Sequence, residues 1–180
     1  MKKGLILLNN KVEDVEAIAT QALLRRAGFK IDSFTLETTK EIKTAYNQKL
    51  TVDYLYDEIK DKNYDFLILP GGGHVFNWLE NSNIDNLVKK YYNDNKLIAA
   101  ICAAPLFLNK VNILENRNFT AFPDVVSNIK GNFIKDAKVV NDNNIITARS
   151  AGVVYDFVYE IIKEIGNETV LNELKKSIVY

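Results

Sequence analysis

The chain opens on a continuous apolar run over residues 4–8 that stops at Asn9-Asn10, the pattern of a strand buried on both faces. Val12, Val15, Ile18, Ala19, Ala22 and Leu23 then recur at helical spacing as far as Gly28, which suits a helix C-terminal cap. Residues 29–36 give a second strand. A less regular stretch follows, and residues 54–60 read as a short helix. Residues 65–69 form a third strand that runs into Pro70-Gly71-Gly72-Gly73. Trp78, Leu79, Ile84, Leu87, Val88 and Tyr91 predict a helix over residues 76–93. A fourth strand covers residues 97–101. Residues 138–140 and 145–147 flank a hairpin-like turn at Asn141-Asp142-Asn143-Asn144, and two helices, over residues 153–165 and 168–178, complete the pattern.

Strands that alternate with helices imply an α/β fold, its mostly parallel sheet covered on both faces and its crossovers right-handed. Such sheets gather their sites beyond the carboxyl ends of the strands. Three segments fall there: residues 9–16, residues 70–74 and Cys102.

Composition narrows the class without choosing a chemistry. At 180 residues, 47% hydrophobic and 26% charged, the chain fits a single domain over residues 1–180 with a full core. Its 23 basic and 23 acidic residues cancel, so no field of one sign calls for nucleic acid or an anionic membrane. The apolar run after Lys3 is too short for a signal-peptide core, and nothing approaches a membrane span. One cysteine makes no disulfide framework, and the expected location is cytoplasmic.

That cysteine carries the strongest chemical signal. Leu97-Ile98-Ala99-Ala100-Ile101-Cys102-Ala103-Ala104-Pro105 turns abruptly from strand into helix, with small residues that permit close backbone approach and a proline suited to a first helical turn. Read this way, the segment is a nucleophile elbow with sulfur in place of oxygen, its thiol biased toward thiolate by the new helix. The alternative is an inert buried thiol.

Around it stand candidates of unequal weight. Glu16 is either a solvated helix-surface residue or an acid partner that keeps a proton and donates to sulfur, with Glu13 and Asp14 as rivals. The glycines form either an ordinary strand-ending turn or a nest of amides; in the second case Gly71 and Gly72, with Ala103, make an oxyanion hole over the sulfur. His74, the single histidine, is the one residue available for a Cys–His dyad, and otherwise a loop or interface residue. Arg149, in Arg149-Ser150-Ala151-Gly152, either holds a substrate anion or makes a structural salt bridge. One cysteine and one histidine do not make a zinc site, so no metal is expected.

Val12-Glu13-Asp14-Val15-Glu16, Leu69-Pro70-Gly71-Gly72, the Cys102 segment and Thr147-Ala148-Arg149-Ser150-Ala151-Gly152 together resemble the DJ/ThiJ/PfpI superfamily, in the branch that contains a parkinsonism-associated protein deglycase. The resemblance runs in order over nearly the whole chain. It implies a flavodoxin-like three-layer sandwich, a homodimer, Cys102 as nucleophile, Glu16 as the glutamate hydrogen-bonded to it, and Gly72 and Ala103 as the amides that hold an oxyanion or oxidised sulfur.

The activity it implies is a cofactor-independent glyoxalase or deglycase acting on methylglyoxal-type dicarbonyls or glycated proteins. The alternative is a non-catalytic redox sensor or chaperone using a Cys102 sulfinate. Two departures stand out. Ala103 occupies the place where the protease-like branch has a histidine, which disfavours a peptidase or amidase; Phe122, before Pro123, occupies the place of a histidine common in the deglycase branch.

Overall fold

Period-two alternation in the central strands, with both sets of side chains apolar, dictates a sheet buried between two layers. The computed structural model describes residues 2–180 and shows this directly. Strands β1 (Lys3–Leu7), β2 (Lys30–Thr35), β3 (Tyr54–Leu55), β4 (Phe66–Leu69), β5 (Leu97–Ile101), β6 (Val139–Asp142) and β7 (Ile145–Ala148) form one sheet in the order β6-β7-β5-β4-β1-β2-β3. Every pairing is parallel except β6 with β7, the predicted hairpin.

Leu5, Leu7, Leu67, Leu69, Ile98 and Ala100 point to one face and join a core with the helices α2 (Tyr56–Ile59), α3 (His74–Trp78), α4 (Ser82–Asn93) and α5 (Pro105–Lys110). Ile6, Phe66, Ile68, Ala99 and Ile101 point to the other face, against α1 (Thr20–Arg26), α6 (Val154–Ile165) and α7 (Glu168–Ser177). Helix α6 shows why the second layer holds: Val154, Phe157, Val158, Ile161, Ile162 and Ile165 recur at helical spacing and are all buried. The result is the flavodoxin-like three-layer arrangement. The chain runs from β1 outward to β2 and later returns to β4 on the other side of β1, so the strand order reverses between β1 and β4.

The structure departs from the hydrophobic pattern in four places. The less regular stretch contains a small antiparallel ribbon, Glu41–Lys43 with Lys49–Thr51, and Tyr54–Leu55 is an edge strand ahead of α2. The helix expected over residues 76–93 breaks at Asn81, whose side chain accepts from the Asn83 amide and starts α4 afresh. Asn118–Phe119 and Asn132–Phe133 pair outside the main sheet. The fourth departure bears on the site. Val15 and Ile18 are exposed, while Glu16, Ala17 and Thr20 are buried, because residues Val15–Ala19 form a π-helical turn that carries a small, polar stripe inward. An apolar pattern alone selects the wrong face there.

Among the described residues no helix is long and apolar enough to cross a membrane. Phe157 has no exposed surface and anchors α6 on the sheet. Phe157→Ala is expected to lower unfolding free energy by about 3–5 kcal/mol in urea denaturation; a loss below about 1 kcal/mol would mean the layer does not depend on this contact.

Candidate active site

Three strands end side by side, and each delivers one part of the site. After β1, the π-helical turn places Glu16 with no exposed surface at all. After β4, the Pro70–Gly73 turn follows, and after β5 comes Cys102, half-buried and at φ +66°. A left-handed φ is strained for a residue with a side chain and marks a sharp elbow. The elbow is fixed at both ends: the Cys102 amide donates to the Ala148 carbonyl (3.0 Å), and its carbonyl accepts from the Phe122 amide (2.9 Å).

The absent side chain of Gly71 makes the meeting of thiol and carboxyl possible. A Cβ there would lie 2.6 Å from Cys102 Cβ, 2.7 Å from Glu16 Oε2 and 3.0 Å from Cys102 Sγ. Its amide donates to Glu16 Oε2 at 2.7 Å. Gly72, at φ +102°, packs onto the backbone of residues 11–13 so closely that a Cβ would fall 2.4 Å from the Glu13 amide nitrogen. Among the described residues, neither the Gly72 nor the Ala103 amide donates to a main-chain carbonyl.

The rival carboxylates have other work. A Glu13 oxygen accepts from the Glu16 amide (2.7 Å), and Asp14 accepts from the Thr44 hydroxyl (2.5 Å) and the Tyr46 amide (3.0 Å), tying the 41–51 ribbon to this turn.

Burial dominates the electrostatics. It pushes the Glu16 carboxyl up to about 7, with the Glu13 charge in the same direction, while the Gly71 amide, the Cys102 thiol and the Ala151 amide favour the charged form. Thiol and Ala151 amide approach the carboxyl without completing a well-aligned hydrogen bond to Oε1, which stays buried and unpartnered.

The sulfur is likewise pushed up, to about 12, first by burial and next by the Glu16 charge; Ser150 and the Ala103 amide act the other way. This corrects the expectation that the elbow alone makes a thiolate. Helix α5 begins only at Pro105 and is six residues long, so its dipole does not outweigh desolvation and a neighbouring carboxylate. Near neutrality the thiol therefore keeps its proton, and Glu16 is the group that titrates first.

Other candidates are placed differently from the sequence expectation. His74 is fully buried: its Nε2 lies 3.0 Å from the Pro70 carbonyl oxygen, its ring packs edge-on to Phe107, and burial pushes it down to about 4. It forms no dyad with Cys102, which removes the amidase-like mechanism that needed it. The Gly71 amide is committed to Glu16 and is not a free oxyanion donor. Arg149 donates to the Lys135 carbonyl and anchors a loop rather than facing the sulfur.

Residue-level reading missed Ser150, whose hydroxyl lies 3.9 Å from Sγ, and the Ala151 amide. The signal was the strand-end position of residues 149–152, read for its charged member only. Phe122 does sit at the elbow, through its amide on the Cys102 carbonyl, and a phenyl ring offers no proton. Among the described residues no three of His, Cys, Asp and Glu converge to hold a metal ion.

A parallel α/β sheet with a strained cysteine at one strand end and a buried glutamate at its neighbour defines a flavodoxin-like protein with a thiol–carboxyl site. The chain belongs to the DJ-1/PfpI family, whose model matches residues 2–164. It is 29% identical over 181 residues to protein dj-1beta of Drosophila melanogaster, covering 99% of this chain and 97% of that one. The crystal structure of that protein superposes with a TM-score of 0.94 over 99% of this chain and 97% of the other. A DJ-1 superfamily protein from Salmonella typhimurium, solved as a cysteine-to-alanine mutant, superposes at 0.93 with 27% identity, over 100% and 99% of the two chains. Protein DJ-1 homolog B of Arabidopsis thaliana is 31% identical over 93% of this chain, which spans 39% of that longer protein.

The raised Glu16 carboxyl has a measurable consequence. Because the folded value lies above the unfolded one, the native state holds an extra proton between about 4.5 and 7, and that contribution fades as pH rises through 7. The stability of the wild type relative to Glu16→Gln is expected to fall by about 3 kcal/mol between pH 4.5 and 8 in urea denaturation at each pH. The comparison cancels the opposite trend of His74. A constant difference would show that Glu16 titrates as in the unfolded chain.

Proposed function

We propose that the protein is a cofactor-independent glyoxalase or deglycase that converts methylglyoxal-type dicarbonyls, free or as protein adducts, to hydroxy acids. One observation carries this: a buried carboxyl titrating near 7, one oxygen held by Gly71 and the other unpartnered, beside the only thiol. Such a group takes and returns protons at working pH.

In the proposed sequence the Cys102 S–H proton passes to Glu16 as sulfur attacks the aldehyde carbon, and Glu16 returns it to the new oxyanion, which the Gly72 and Ala103 amides hold meanwhile. Glu16, ionised again, removes the proton from the carbon bonded to sulfur and delivers it to the adjacent carbonyl carbon. The hemithioacetal hydroxyl proton is relayed through the same carboxyl to the oxygen on that adjacent carbon. This leaves a thioester, which water hydrolyses to the hydroxy acid, restoring the thiol. With Phe122 at the elbow and His74 turned to Pro70, Glu16 carries every proton.

Incubation with methylglyoxal without glutathione is expected to yield lactate, with Cys102→Ser inactive and Glu16→Gln slower by about 10²-fold or more. Equal lactate from wild type and Cys102→Ser would overturn the proposal.

A second reading, a redox sensor, draws support from the Ser150 hydroxyl and Ala103 amide beside sulfur, donors suited to sulfinate oxygens. It is expected to show as a stable gain of two oxygens at Cys102 in mass spectrometry after mild peroxide, without dicarbonyl turnover. Sulfonate or no reaction would count against it.

A further inference from the structure

The proposed reaction makes no use of His74, although it is the chain's single histidine and has no exposed surface. Its hydrogen bond sets the tautomer of the neutral ring. The Pro70 carbonyl can only accept, so Nε2 carries the ring proton, and Nδ1 is left buried without a partner. A neutral ring tolerates that; a protonated one would be a fully buried charge, and desolvation outweighs the main-chain groups of Pro70 and Gly71 that favour it.

The Pro70 carbonyl and the Gly71 amide are two ends of one peptide group. No peptide of the chain is cis among the described residues, so oxygen and N–H lie in a single plane and point in opposite directions. His74 holds one side, through Nε2–H to Pro70 O at 3.0 Å. Glu16 holds the other, through Gly71 N–H to Oε2 at 2.7 Å. Donation to an amide oxygen also draws electron density from its nitrogen and strengthens the N–H as a donor.

We propose that His74 is a positioning residue for Glu16: it orients and polarises the Pro70–Gly71 peptide, so that the Gly71 amide grips Oε2 and leaves Oε1 to exchange the proton. The inference rests on Glu16 and Cys102 forming the reactive pair. Glu13 and Cys102 are the titratable groups facing Glu16; the groups acting on the His74 ring are main-chain groups of Pro70 and Gly71. His74 begins the five-residue helix α3, and Phe107 of α5 packs edge-on to its ring.

The test is an NMR titration of isotope-labelled protein. In the wild type, the Gly71 amide, the Pro70 carbonyl carbon and His74 Nε2 should shift together, with one midpoint near 7 and the ring staying neutral; in Glu16→Gln all three should be flat. His74→Leu is expected to raise the Glu16 carboxyl midpoint by about half a pH unit, roughly threefold in proton affinity, and His74→Gln, which keeps an N–H donor, to restore it. A Gly71 amide that titrates while Nε2 does not, or a midpoint indifferent to His74→Leu, would overturn the inference and leave the Glu16–Cys102 pair standing. A Gly71 amide that does not titrate near 7 would remove the pair itself, and the inference with it. Should His74→Leu not fold, the wild-type shifts and their loss in Glu16→Gln decide the matter.

Discussion

Everything at the strand ends depends on one hydrogen bond, from the Gly71 amide to a carboxyl with no access to water. A fully buried carboxylate without a partner is among the costliest groups a protein can hold. Here the cost is met in two ways: one oxygen receives a main-chain donor at 2.7 Å, and the group can take a proton near neutrality. Each arrangement alone would give a different residue. More donors would produce a permanent carboxylate, and none would produce a permanent acid.

The fold supplies this geometry through the sheet and the π-helical turn that follows β1. Strands β1, β4 and β5 are adjacent and in register, with Leu5 opposite Leu67 and Ile68 opposite Ala99, so their ends lie level. Gly71 and Cys102 follow their strands within two residues, and Glu16 is held on the π-helical turn that follows the loop after β1. The left-handed backbone of Cys102, which costs on the order of 1 kcal/mol, persists because its amide and carbonyl are both claimed by neighbouring segments. Gly71 contributes by lacking a side chain just where sulfur and carboxyl converge.

Much of this was legible in the residues. Strand and helix order, the parallel sheet, the final hairpin and the elbow at Cys102 follow from apolar periodicity and from where small residues and proline fall. Two features were not legible, for physical reasons. The turn bearing Glu16 buries a polar stripe, so the helical pattern of Val15 and Ile18 pointed to the solvent face. The protonation of the thiol could not be inferred from its place before a helix, because burial and the Glu16 charge act on it more strongly than a helix six residues long. Short polar residues such as Ser150 carry no pattern of their own and become visible only when the loop closes over the sulfur.

The two buried titratable groups beside the Pro70–Gly71 peptide also constrain each other. Burial drives His74 down to about 4 and Glu16 up to about 7, so between these values both are neutral and the interior at the strand ends carries no charge. Above 7 one charge appears, on Glu16, and the peptide that receives it is already polarised from the far side. A histidine that stayed protonated would reverse that order, placing a buried cation four residues from Pro70 and stabilising a permanent carboxylate unable to return its proton. Neutrality of His74 is therefore a condition for Glu16 to exchange protons, and Phe107, packed against the ring, helps enforce it by excluding water.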